Sequence, residues 1–465
     1  MAFQKASIKF YQWKLEKTTQ NMSTPPSLPM APGPQGLSFL KSVIGFYRDP
    51  IHLFAELHHK YGNIARLQGG PYCAHLITQP EHIKYVLQDN AKNYRLGGIF
   101  DETTPVVGRG LTTNSGPSWL RQRRMVQFAF QHKHVAAYGD VITSKTETSL
   151  DQWNQNLKSG TSINIDAEIL RLNHLILGKL LFNVDFKDND PFLDAFAIVR
   201  KVSIDRVRSM IKLPSSRRFD EAVHMLDEFA YRQIAEHRRE TPPADILSML
   251  MQAKDEETGS GMNDAELHDE IMTLFFAAYE DVANAIAWTW YLLAQNPDAE
   301  NRLRAEIQNV LGQRAPTAAD LRDLPYLSML VNEVLRLYPT TWSLLRDVVE
   351  DDQIDGFHIP ADSMILMDLH LTHRLPTYWP DPERFYPERF SPERSAGRPR
   401  FTYFPFGGGP RQCIGNELAL MEIKLILARM VQLYRFTLVS SQPIQMNALS
   451  SLQPRGGVWV KVQAV

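Results

Sequence analysis

The sequence predicts a mostly α fold with small β-sheets, an α+β architecture, in one large folded unit. From about Trp119 to Leu337 apolar residues recur at three- and four-residue spacing, which is the period of amphipathic helices. Short stretches with strand character stand on either side of this part. With 465 residues, of which 44% are hydrophobic, the chain can bury a large core without disulfides.

Strand and turn signals place the smaller elements. The stretch from Asn63 to Ile77 predicts a hairpin that turns at Gly69-Gly70-Pro71, and a helix is expected to begin near Pro80. Two more strands are predicted in "YRFTLVSS" and "GGVWVKVQAV" near the end of the chain. The stretch "DEETGSG", from Asp255 to Gly261, is typical of a solvated loop of low order.

We divide the chain at residue 40. Residues 1–40 are predicted to form an N-terminal extension with a Pro-rich entry segment, and residues 41–465 a single domain. The first twenty residues carry four Lys and one Glu among apolar side chains. This pattern fits either a basic amphipathic helix on a membrane surface or a frayed extension. No apolar run is long enough to predict a membrane-spanning helix.

The net charge and the cysteine content indicate which partners and which cellular compartment the sequence fits. A formal net charge of -2 lacks the basic excess that binding to nucleic acid requires. Cys73 and Cys413, in a chain with no secretory signal, indicate a reducing compartment, so we expect a cytoplasmic protein. Cys73 falls on the second predicted strand, where it fits a small buried hydrophobe.

One helix is predicted to run unbroken from Asn263 to Asn296, and it starts with a near capping box to Glu266. Its interior is apolar except for Glu280, Asp281 and Asn284. Two adjacent acids argue against a transmembrane helix. Since carboxylates are seldom buried without a partner or a task, we expect Glu280 and Asp281 to occupy an internal functional site.

The stretch "PFGGGPRQCIGNELAL" places Cys413 between a glycine-rich turn and a predicted helix start. A thiolate is a strong ligand for iron, and helix N-terminal N–H groups and a nearby cation stabilise it. Gly407 to Gly409 allow a tight turn, Gly415 allows a flat macrocycle to approach, and Arg411 can pair with a carboxylate. A phosphate loop or a zinc site would need residues that are absent here, whereas a nucleophilic cysteine with a distant His base stays open.

The segment from Phe406 to Gly415 resembles, without a gap, the haem-binding loop Phe-x-x-Gly-x-Arg-x-Cys-x-Gly of the cytochrome P-450 superfamily. In that family a Cys thiolate holds the haem iron and favours O–O cleavage. The resemblance, to a soluble member of bacterial type, implies a large helical part and a smaller β-rich part around a buried haem b. It makes Cys413 the iron ligand.

A second resemblance covers the family's buried Glu-Arg-Arg network. Glu333-Val-Leu-Arg336 resembles its Glu-x-x-Arg pair, and two Pro-Glu-Arg-Phe segments compete for the third position. The family pattern Asp-Pro-x-x-Phe-x-Pro-x-Arg-Phe lies on Asp381 through Phe390, which selects Arg389 and leaves Arg384 at the surface. The resemblance gives these three residues a structural task.

The resemblance also assigns contacts to the haem and to the substrate. "GPSWLRQRRMVQFAF" is similar to the family's C helix, where Trp119 and Arg123 would hold a propionate, while Arg121 and Arg124 could face an electron donor. The predicted cofactor contacts are Trp119, Arg123, Arg346, Phe406, Gly409, Arg411, Cys413 and Gly415. The predicted substrate pocket consists of Ile99, Phe100, Phe275, Phe276, Ala277, Trp342, Leu344 and Ser451.

The chain departs from the family in the long helix. Many members read Ala-Gly-x-Asp/Glu-Thr-Thr there, with the acid and the alcohol delivering protons to oxygen, whereas this chain reads "AAYEDV" from Ala277 to Val282. Glu280 keeps the acid, and Asp281 replaces the alcohol. We predict both as catalytic residues, because a carboxylic acid with a raised pKa can still pass a proton.

The resemblance implies a monooxygenase that inserts one oxygen atom from dioxygen into an apolar organic substrate. Since the chain ends soon after the predicted haem domain, electrons are expected from a separate ferredoxin or flavodoxin, and a monomer is expected. Asp281 keeps a peroxide-driven peroxygenase open, as well as a haem-thiolate isomerase or dehydratase. A haem-binding gas sensor or electron carrier is the alternative from another class.

Overall fold

A computed structural model gives the fold and describes residues 28–70, 72–156, 161–208, 215–239 and 244–465. The basic segment at the N-terminus, predicted as a membrane-surface helix or a frayed extension, lies outside these residues. Helices dominate the described part and the strands form small sheets, as the sequence predicts. Among the described residues no helix is both long and apolar enough to cross a membrane.

The helices, numbered in chain order, have the following bounds. They are α1 Leu37–Arg48, α2 Pro50–Tyr61, α3 Pro80–Lys84, α4 Thr104–Val107, α5 Gly116–Ala129, α6 His132–Asn156, α7 Ile165–Phe182, α8 Pro191–Arg208, α9 Arg217–Arg239, α10 Ile246–Gln252, α11 Asp264–Ala278, α12 Asp281–Gln295, α13 Pro297–Leu311, α14 Pro325–Leu337, α15 Leu369–Thr372, α16 Pro392–Ser395 and α17 Asn416–Leu433.

The strands are short. They are β1 Ile64–Gly69, β2 Tyr72–Ile77, β3 Tyr94–Leu96, β4 Ser162–Asn164, β5 Ser343–Val348, β6 Asp352–Ile354, β7 Phe357–Ile359, β8 Met364–Asp368, β9 Tyr434–Leu438, β10 Met446–Ala448, β11 Leu452–Pro454 and β12 Trp459–Ala464.

The predicted hairpin and the predicted C-terminal strands are confirmed. β1 and β2 pair antiparallel, with Ile64 opposite Ile77, and belong to a five-stranded sheet of order β1-β2-β8-β5-β3. β9 and β12 pair antiparallel in a second sheet that includes β4. Cys73 lies on β2 as predicted, but it is half-buried and not enclosed in the core.

The long central helix is interrupted, which corrects the prediction of an unbroken run to Asn296. It starts with the predicted capping box, since Asn263 accepts from the Glu266 N–H and Glu266 accepts from the Asn263 N–H, both at 3.0 Å. It then breaks between α11 and α12, where Glu280 leaves the helical conformation with φ -135° and ψ -14°. Apolar periodicity cannot report such a break, because apolar residues continue on both sides of it, with Phe275 and Val282 both buried.

A side chain from a neighbouring helix stabilises the break. Asn173, fully buried on α7, donates its amide to the carbonyl oxygens of Ala278 and Tyr279 at 3.0 and 2.8 Å. Carbonyls at the end of a helix have no intrahelical partner and need one when they are buried. Asn173 therefore satisfies the groups that the break leaves free.

The structure differs from the sequence expectation at the division of the chain and at Asp255. The division at residue 40 falls inside α1, and the chain already joins the body before it, where Pro29 accepts from the His358 N–H at 2.9 Å and Ala31 is buried. Asp255, predicted to lie in a solvated loop, is buried because Arg124 donates to its carboxylate at 2.7 Å. The loop after Asp255 is exposed, as expected.

A buried ionic network connects α14 to the segment that leads toward Cys413. Glu333 and Arg336 are fully buried, and Arg336 donates to both carboxylate oxygens of Glu333 at 2.8 and 2.9 Å. Arg389 donates to Glu333 Oε1 at 3.2 Å. Arg384 is exposed and contributes only its backbone carbonyl to the network. The structure thus places Arg389, and not Arg384, against Glu333.

Replacing Arg389 tests this geometry. Arg389→Ala should lower the free energy of unfolding by about 3–5 kcal/mol, because it leaves the Glu333–Arg336 pair without one of its buried partners. Arg384→Ala is the matched control: it keeps the carbonyl that the network uses and should change stability by no more than about 0.5 kcal/mol. Urea unfolding followed by circular dichroism measures both. Equal losses in the two variants would contradict the assignment.

Candidate active site

The loop that carries Cys413 is a tight turn whose geometry depends on glycine. The Cys413 N–H donates to the Phe406 carbonyl at 2.9 Å, which closes the loop. Gly407 and Gly409 adopt φ of 69° and 68°, a region that favours glycine. A Cβ on Gly409 would lie 1.7 Å from the Leu87 carbonyl oxygen, so no other residue fits there.

The Cys413 side chain keeps accessible surface, although burial raises the pKa of its thiol. A side chain that borders an enclosed space would combine these two properties. The Gly415 N–H and the Arg123 guanidinium act in the opposite direction and favour the thiolate. Asp281 raises the pKa of Cys413 through its charge, which places that acid within electrostatic range of the sulfur.

Three arginines converge near the loop without an acid partner. Arg346 and Arg411 hydrogen-bond only to carbonyl groups, the shortest contacts being 2.7 Å to Leu345 and 2.9 Å to Asn114. Burial, together with the charge of Arg411 in one case and of Arg123 in the other, lowers the pKa of Arg346 and of Arg411 to about 10. Among the described residues none of the three forms a salt bridge, although buried charges are normally paired.

Trp119 and Gly415 border the same region. The Arg411 guanidinium lies 4.2 Å from the centre of the Trp119 ring. A Cβ on Gly415 would meet only Phe130, at an ordinary distance of 3.6 Å, so the protein itself leaves open space over that glycine. Both features are consistent with a flat, anionic group lying between α5 and the loop of Cys413.

The two predicted catalytic acids have different surroundings. Glu280 forms an ion pair with Arg200 of α8 and accepts from Ser450 Oγ at 3.0 Å and from Gln453 Nε2 at 2.6 Å. Burial raises the pKa of Glu280, and these three partners oppose that effect. Its carboxylate is therefore held by α8 and by the β10–β11 hairpin.

Asp281 lacks such a cation of its own. Burial and, to a smaller extent, the charge of the adjacent Glu280 raise its pKa to about 7, against the opposing effects of the Ser451 hydroxyl and the charge of Arg200. No described residue forms a salt bridge with Asp281. An acid with a pKa near 7 can both accept and donate a proton at neutral pH.

Three predicted pocket residues belong instead to packed interior. Phe275 is fully buried among the rings of Phe182, Phe192 and Phe196, because α11 turns it toward α7 and α8. Trp342 packs against Phe54, and its indole N–H donates to the Leu449 carbonyl at 2.9 Å. Ser451 is buried and accepts from Asn284 Nδ2 at 2.8 Å.

The other predicted pocket residues remain accessible. Phe100, Phe276 and Leu344 are half-buried and Ala277 is exposed, while the side chain of Ile99 lies outside what the structure describes. Arg121 and Arg124, which could have faced an electron donor, pair with Glu266 and with Asp255 and Glu257.

Sequence reasoning missed the side chains that hold the helix break and the Glu280 carboxylate. Arg200 and Asn173 come from α8 and α7, and Gln453 comes from β11. Asn173 interrupts the apolar run "LNHLILGKLLF", and a polar residue on a buried helical face could have drawn attention to it. Nothing in the sequence pairs Arg200 with Glu280.

Comparison with known proteins settles the family. The family model described as cytochrome P-450 matches residues 31–461. This chain belongs to the cytochrome P-450 family. It is 34% identical over 434 residues to cyclooctatin synthase of Streptomyces melanosporofaciens, covering 91% of this chain and 93% of that protein. It is 31% identical over 429 residues to cyclooctat-9-en-7-ol 5-monooxygenase of the same organism, covering 90% and 92%.

A further relative and a solved structure agree with this family assignment. Pentalenene oxygenase of Streptomyces avermitilis is 28% identical over 416 residues, covering 87% of this chain and 91% of the relative. The structure of retinoic-acid-bound cyanobacterial CYP120A1 superposes with a TM-score of 0.85 at 26% identity and covers 95% of this cytochrome P-450 and 100% of that chain. The protein is a cytochrome P-450 monooxygenase, and the family's cofactor is haem.

The residues of this P-450 fit a haem. A cysteine whose side chain keeps accessible surface, an open space over Gly415, and three arginines without an acid partner match an iron ligand, a flat ring and two propionates. Cys413 would hold the iron, and Arg123, Arg346 and Arg411 would hold the carboxylates.

The spectrum of the loaded protein tests the role of Cys413. The reduced, carbon-monoxide-bound wild type should show the red-shifted Soret band of a thiolate-bound haem, and Cys413→His should lose it because the ligand is no longer sulfur. Cys73→Ser changes the other cysteine and should keep the spectrum. A red-shifted band that survives in Cys413→His would disprove the assignment.

Proposed function

We propose that this monooxygenase inserts one oxygen atom from dioxygen into an apolar organic substrate, with electrons from a separate ferredoxin or flavodoxin. The observation that carries the proposal is that the Asp281 carboxyl lies within electrostatic range of the Cys413 thiol, which brings a candidate proton-exchanging acid close to the proposed iron ligand. When bound, haem b supplies the iron at which oxygen is activated.

The substrate is proposed to be rich in hydrocarbon. Two relatives are named for cyclooctat-9-en-7-ol and pentalenene, and the solved structure holds retinoic acid. In this chain Phe100, Phe276, Ala277 and Leu344 supply accessible apolar surface, which is what usually lines such pockets.

We assign proton transfer to Asp281 and a holding role to Glu280. Three donors occupy the Glu280 carboxylate and tie α8 to the hairpin, whereas Asp281 has a pKa of about 7 and no ion-pair partner in the described chain. A carboxylate can take a proton from one oxygen of hydrogen peroxide and return it to the other, which leaves as water. A threonine hydroxyl at this position is a far weaker base.

This chemistry favours peroxide-supported oxidation as a second activity. Asp281→Thr should lose much of the peroxide-driven rate, while electron-driven turnover is retained or better coupled. Rates with hydrogen peroxide and with a reductant are compared in wild type, Asp281→Thr and Asp281→Asn. The wild-type peroxide rate should rise with pH through about 7, because the carboxylate form acts as the base. Equal loss in both modes, with weaker substrate-induced spin shifts, would make Asp281 a substrate anchor instead.

A spin-state shift on binding of apolar compounds would distinguish an enzyme pocket from a gas sensor or an electron carrier. Apolar compounds that enter the pocket should displace water and move the haem Soret band from the low-spin to the high-spin position. A compound library screened in this way would also identify the substrate. No shift with any apolar compound would favour the sensor or carrier.

The electron donor is proposed to dock on the outer face of the Cys413 loop. A surface pocket of about 270 Å³ lies there, lined in part by Arg400, Gly407 and Gln412. Arg400 is exposed and offers a positive charge to an acidic partner. Arg400→Glu should therefore slow reduction by a ferredoxin without changing peroxide-driven turnover.

We also propose that the protein is a monomer and that it is located in the cytoplasm.

A weak membrane contact of the N-terminus is proposed to continue onto α1. Leu37, Leu40 and Ile44 lie on one face of α1 and are 78%, 56% and 54% exposed. The basic, apolar sequence of the first twenty residues precedes this face and suits an anionic lipid surface.

Vesicle flotation tests this contact. Wild type should float with vesicles that contain anionic lipid and less with neutral ones, and Leu40→Asp with Ile44→Asp should reduce flotation because a charge resists burial among lipid chains. Val465→Asp changes an exposed apolar residue elsewhere and serves as the control. Flotation that is the same in both variants would rule out the α1 face.

A further inference from the structure

One carboxylate outside the site described above accepts hydrogen bonds from five groups. Asp352 is the first residue of β6 and is half-buried. The donors are the hydroxyls of Tyr85 and Tyr94 at 2.9 and 2.6 Å, the side-chain amides of Asn90 and Asn93 at 2.9 and 3.3 Å, and the Gln353 N–H at 2.7 Å. Four of these donors belong to residues 85–94, which we call the 85–94 segment.

The ionisation of these groups suits a charged acceptor and neutral donors. Burial alone would raise the pKa of Asp352, but the hydrogen bonds that it accepts, foremost from Tyr94, outweigh burial and lower the pKa. Burial and the Asp352 carboxylate raise the pKa of Tyr85 and of Tyr94, so both hydroxyls keep their protons. Hydrogen bonds to an ionised acceptor are stronger than those between neutral groups. The carboxylate therefore binds the 85–94 segment firmly.

The 85–94 segment has an irregular backbone. It begins with a π-helical turn, Tyr85–Asp89, in which the Asn90 N–H donates to the Tyr85 carbonyl at 2.8 Å. A 3₁₀ turn, Ala91–Asn93, follows directly. Such turns are short and their hydrogen bonds have poorer geometry than those of an α-helix, and π-helical turns occur frequently at functional sites. Side-chain contacts with Asp352 are therefore needed to hold the segment in one arrangement.

The segment contacts two elements of the proposed haem site. The Leu87 carbonyl lies against Gly409 in the loop of Cys413, where an added Cβ would come within 1.7 Å of its oxygen. At the other end, the segment continues into β3, which pairs with β5 and places Leu96 opposite Arg346. The segment thus connects the loop that carries the proposed iron ligand to the strand that carries a proposed carboxylate ligand.

We propose that Asp352 is a positioning residue for the haem site: it holds the 85–94 segment against the loop of Cys413 and against β5, and so fixes Cys413 and Arg346 in the arrangement that binds the cofactor. This rests on the proposed roles of Cys413 and Arg346 as cofactor contacts. Asp352 acts through the segment and does not itself touch the cofactor.

Asp352→Asn tests the proposal, because an amide has the shape of a carboxylate but brings an NH2 donor against groups that are themselves donors. Haem should pass from the loaded variant to an excess of apomyoglobin about tenfold faster than from wild type, the factor expected for losing one hydrogen bond to a charged group. Hydrogen–deuterium exchange of the loaded protein should also be faster in residues 406–415 and 343–348.

Tyr85→Phe is a milder second variant. It removes a hydroxyl that donates to Asp352 and accepts from Asn90 at 3.0 Å, but it keeps the ring. Haem transfer should be faster than in wild type and slower than in Asp352→Asn. Exchange should increase more in residues 406–415 than in 343–348, because Tyr85 lies in the same π-helical turn as Leu87.

Two variants serve as controls. Asp351→Asn removes the adjacent acid, whose carboxylate accepts from the Ala361 N–H at 2.7 Å and pairs with His358 at 3.2 Å. Leu226→Ala leaves a cavity in the core at α9 and lowers stability without changing the segment. Both should keep the wild-type rates of haem transfer and exchange. An unchanged haem-transfer rate in Asp352→Asn, or an equal acceleration in either control, would overturn the proposal.

The result is separable from the assignment of the iron ligand. If Cys413→His keeps the red-shifted carbon-monoxide band but Asp352→Asn still speeds exchange of residues 406–415, the positioning of the loop stands and the role of Cys413 is wrong. If Cys413→His loses the band but Asp352→Asn changes neither haem transfer nor exchange, the ligand assignment stands and positioning by Asp352 is wrong.

Discussion

The carboxylate of Glu333 accepts hydrogen bonds from two buried guanidinium groups, and this interaction fixes the irregular stretch that leads toward Cys413. Arg336 and Arg389 share this one acid. Their remaining N–H groups donate to the backbone carbonyls of His373, Pro380, Asp381, Pro382 and Arg384. A stretch without regular secondary structure is thereby fixed to α14 by charge-assisted hydrogen bonds, which are stronger than neutral ones. Without the acid, two buried cations would repel each other.

In the cofactor region, by contrast, a group of arginines has no acid from the described chain. Arg123, Arg346 and Arg411 act on one another's charge, and no carboxylate of the described chain neutralises them. The carboxylates of a haem would do so, which couples cofactor binding to folding, since a ligand that binds only the native state stabilises it. The same fold thus contains one arginine cluster that the protein completes and one that the cofactor completes.

The predictable parts of this protein are those that a local pattern encodes. The hairpin of β1 and β2, the capping box at Asn263 and the turn around Cys413 each follow from neighbouring residues, and so they were predictable from the sequence. The choice of Arg389 over Arg384 depended on a family pattern, because the two segments are locally identical.

The features that escaped prediction depend on side chains distant in sequence. The break in the central helix is stabilised by Asn173, more than a hundred positions away, and Glu280 pairs with Arg200 and Gln453 from two other elements. Phe275 and Phe276 are adjacent and equally apolar, yet one enters an aromatic core and the other stays accessible. Composition cannot separate such neighbours, since the difference is the direction in which each side chain leaves the helix.

The contacts of Asn173 have an energetic consequence for the order of events in turnover. Because α7 supplies permanent donors to the carbonyls of Ala278 and Tyr279, the opened helix needs no ligand to hold it apart. The free energy required to unwind the helix is offset when the chain folds, so it is not required again in each catalytic cycle. Substrates therefore meet a helix break that is already preorganised, and their binding free energy is available for discriminating between shapes.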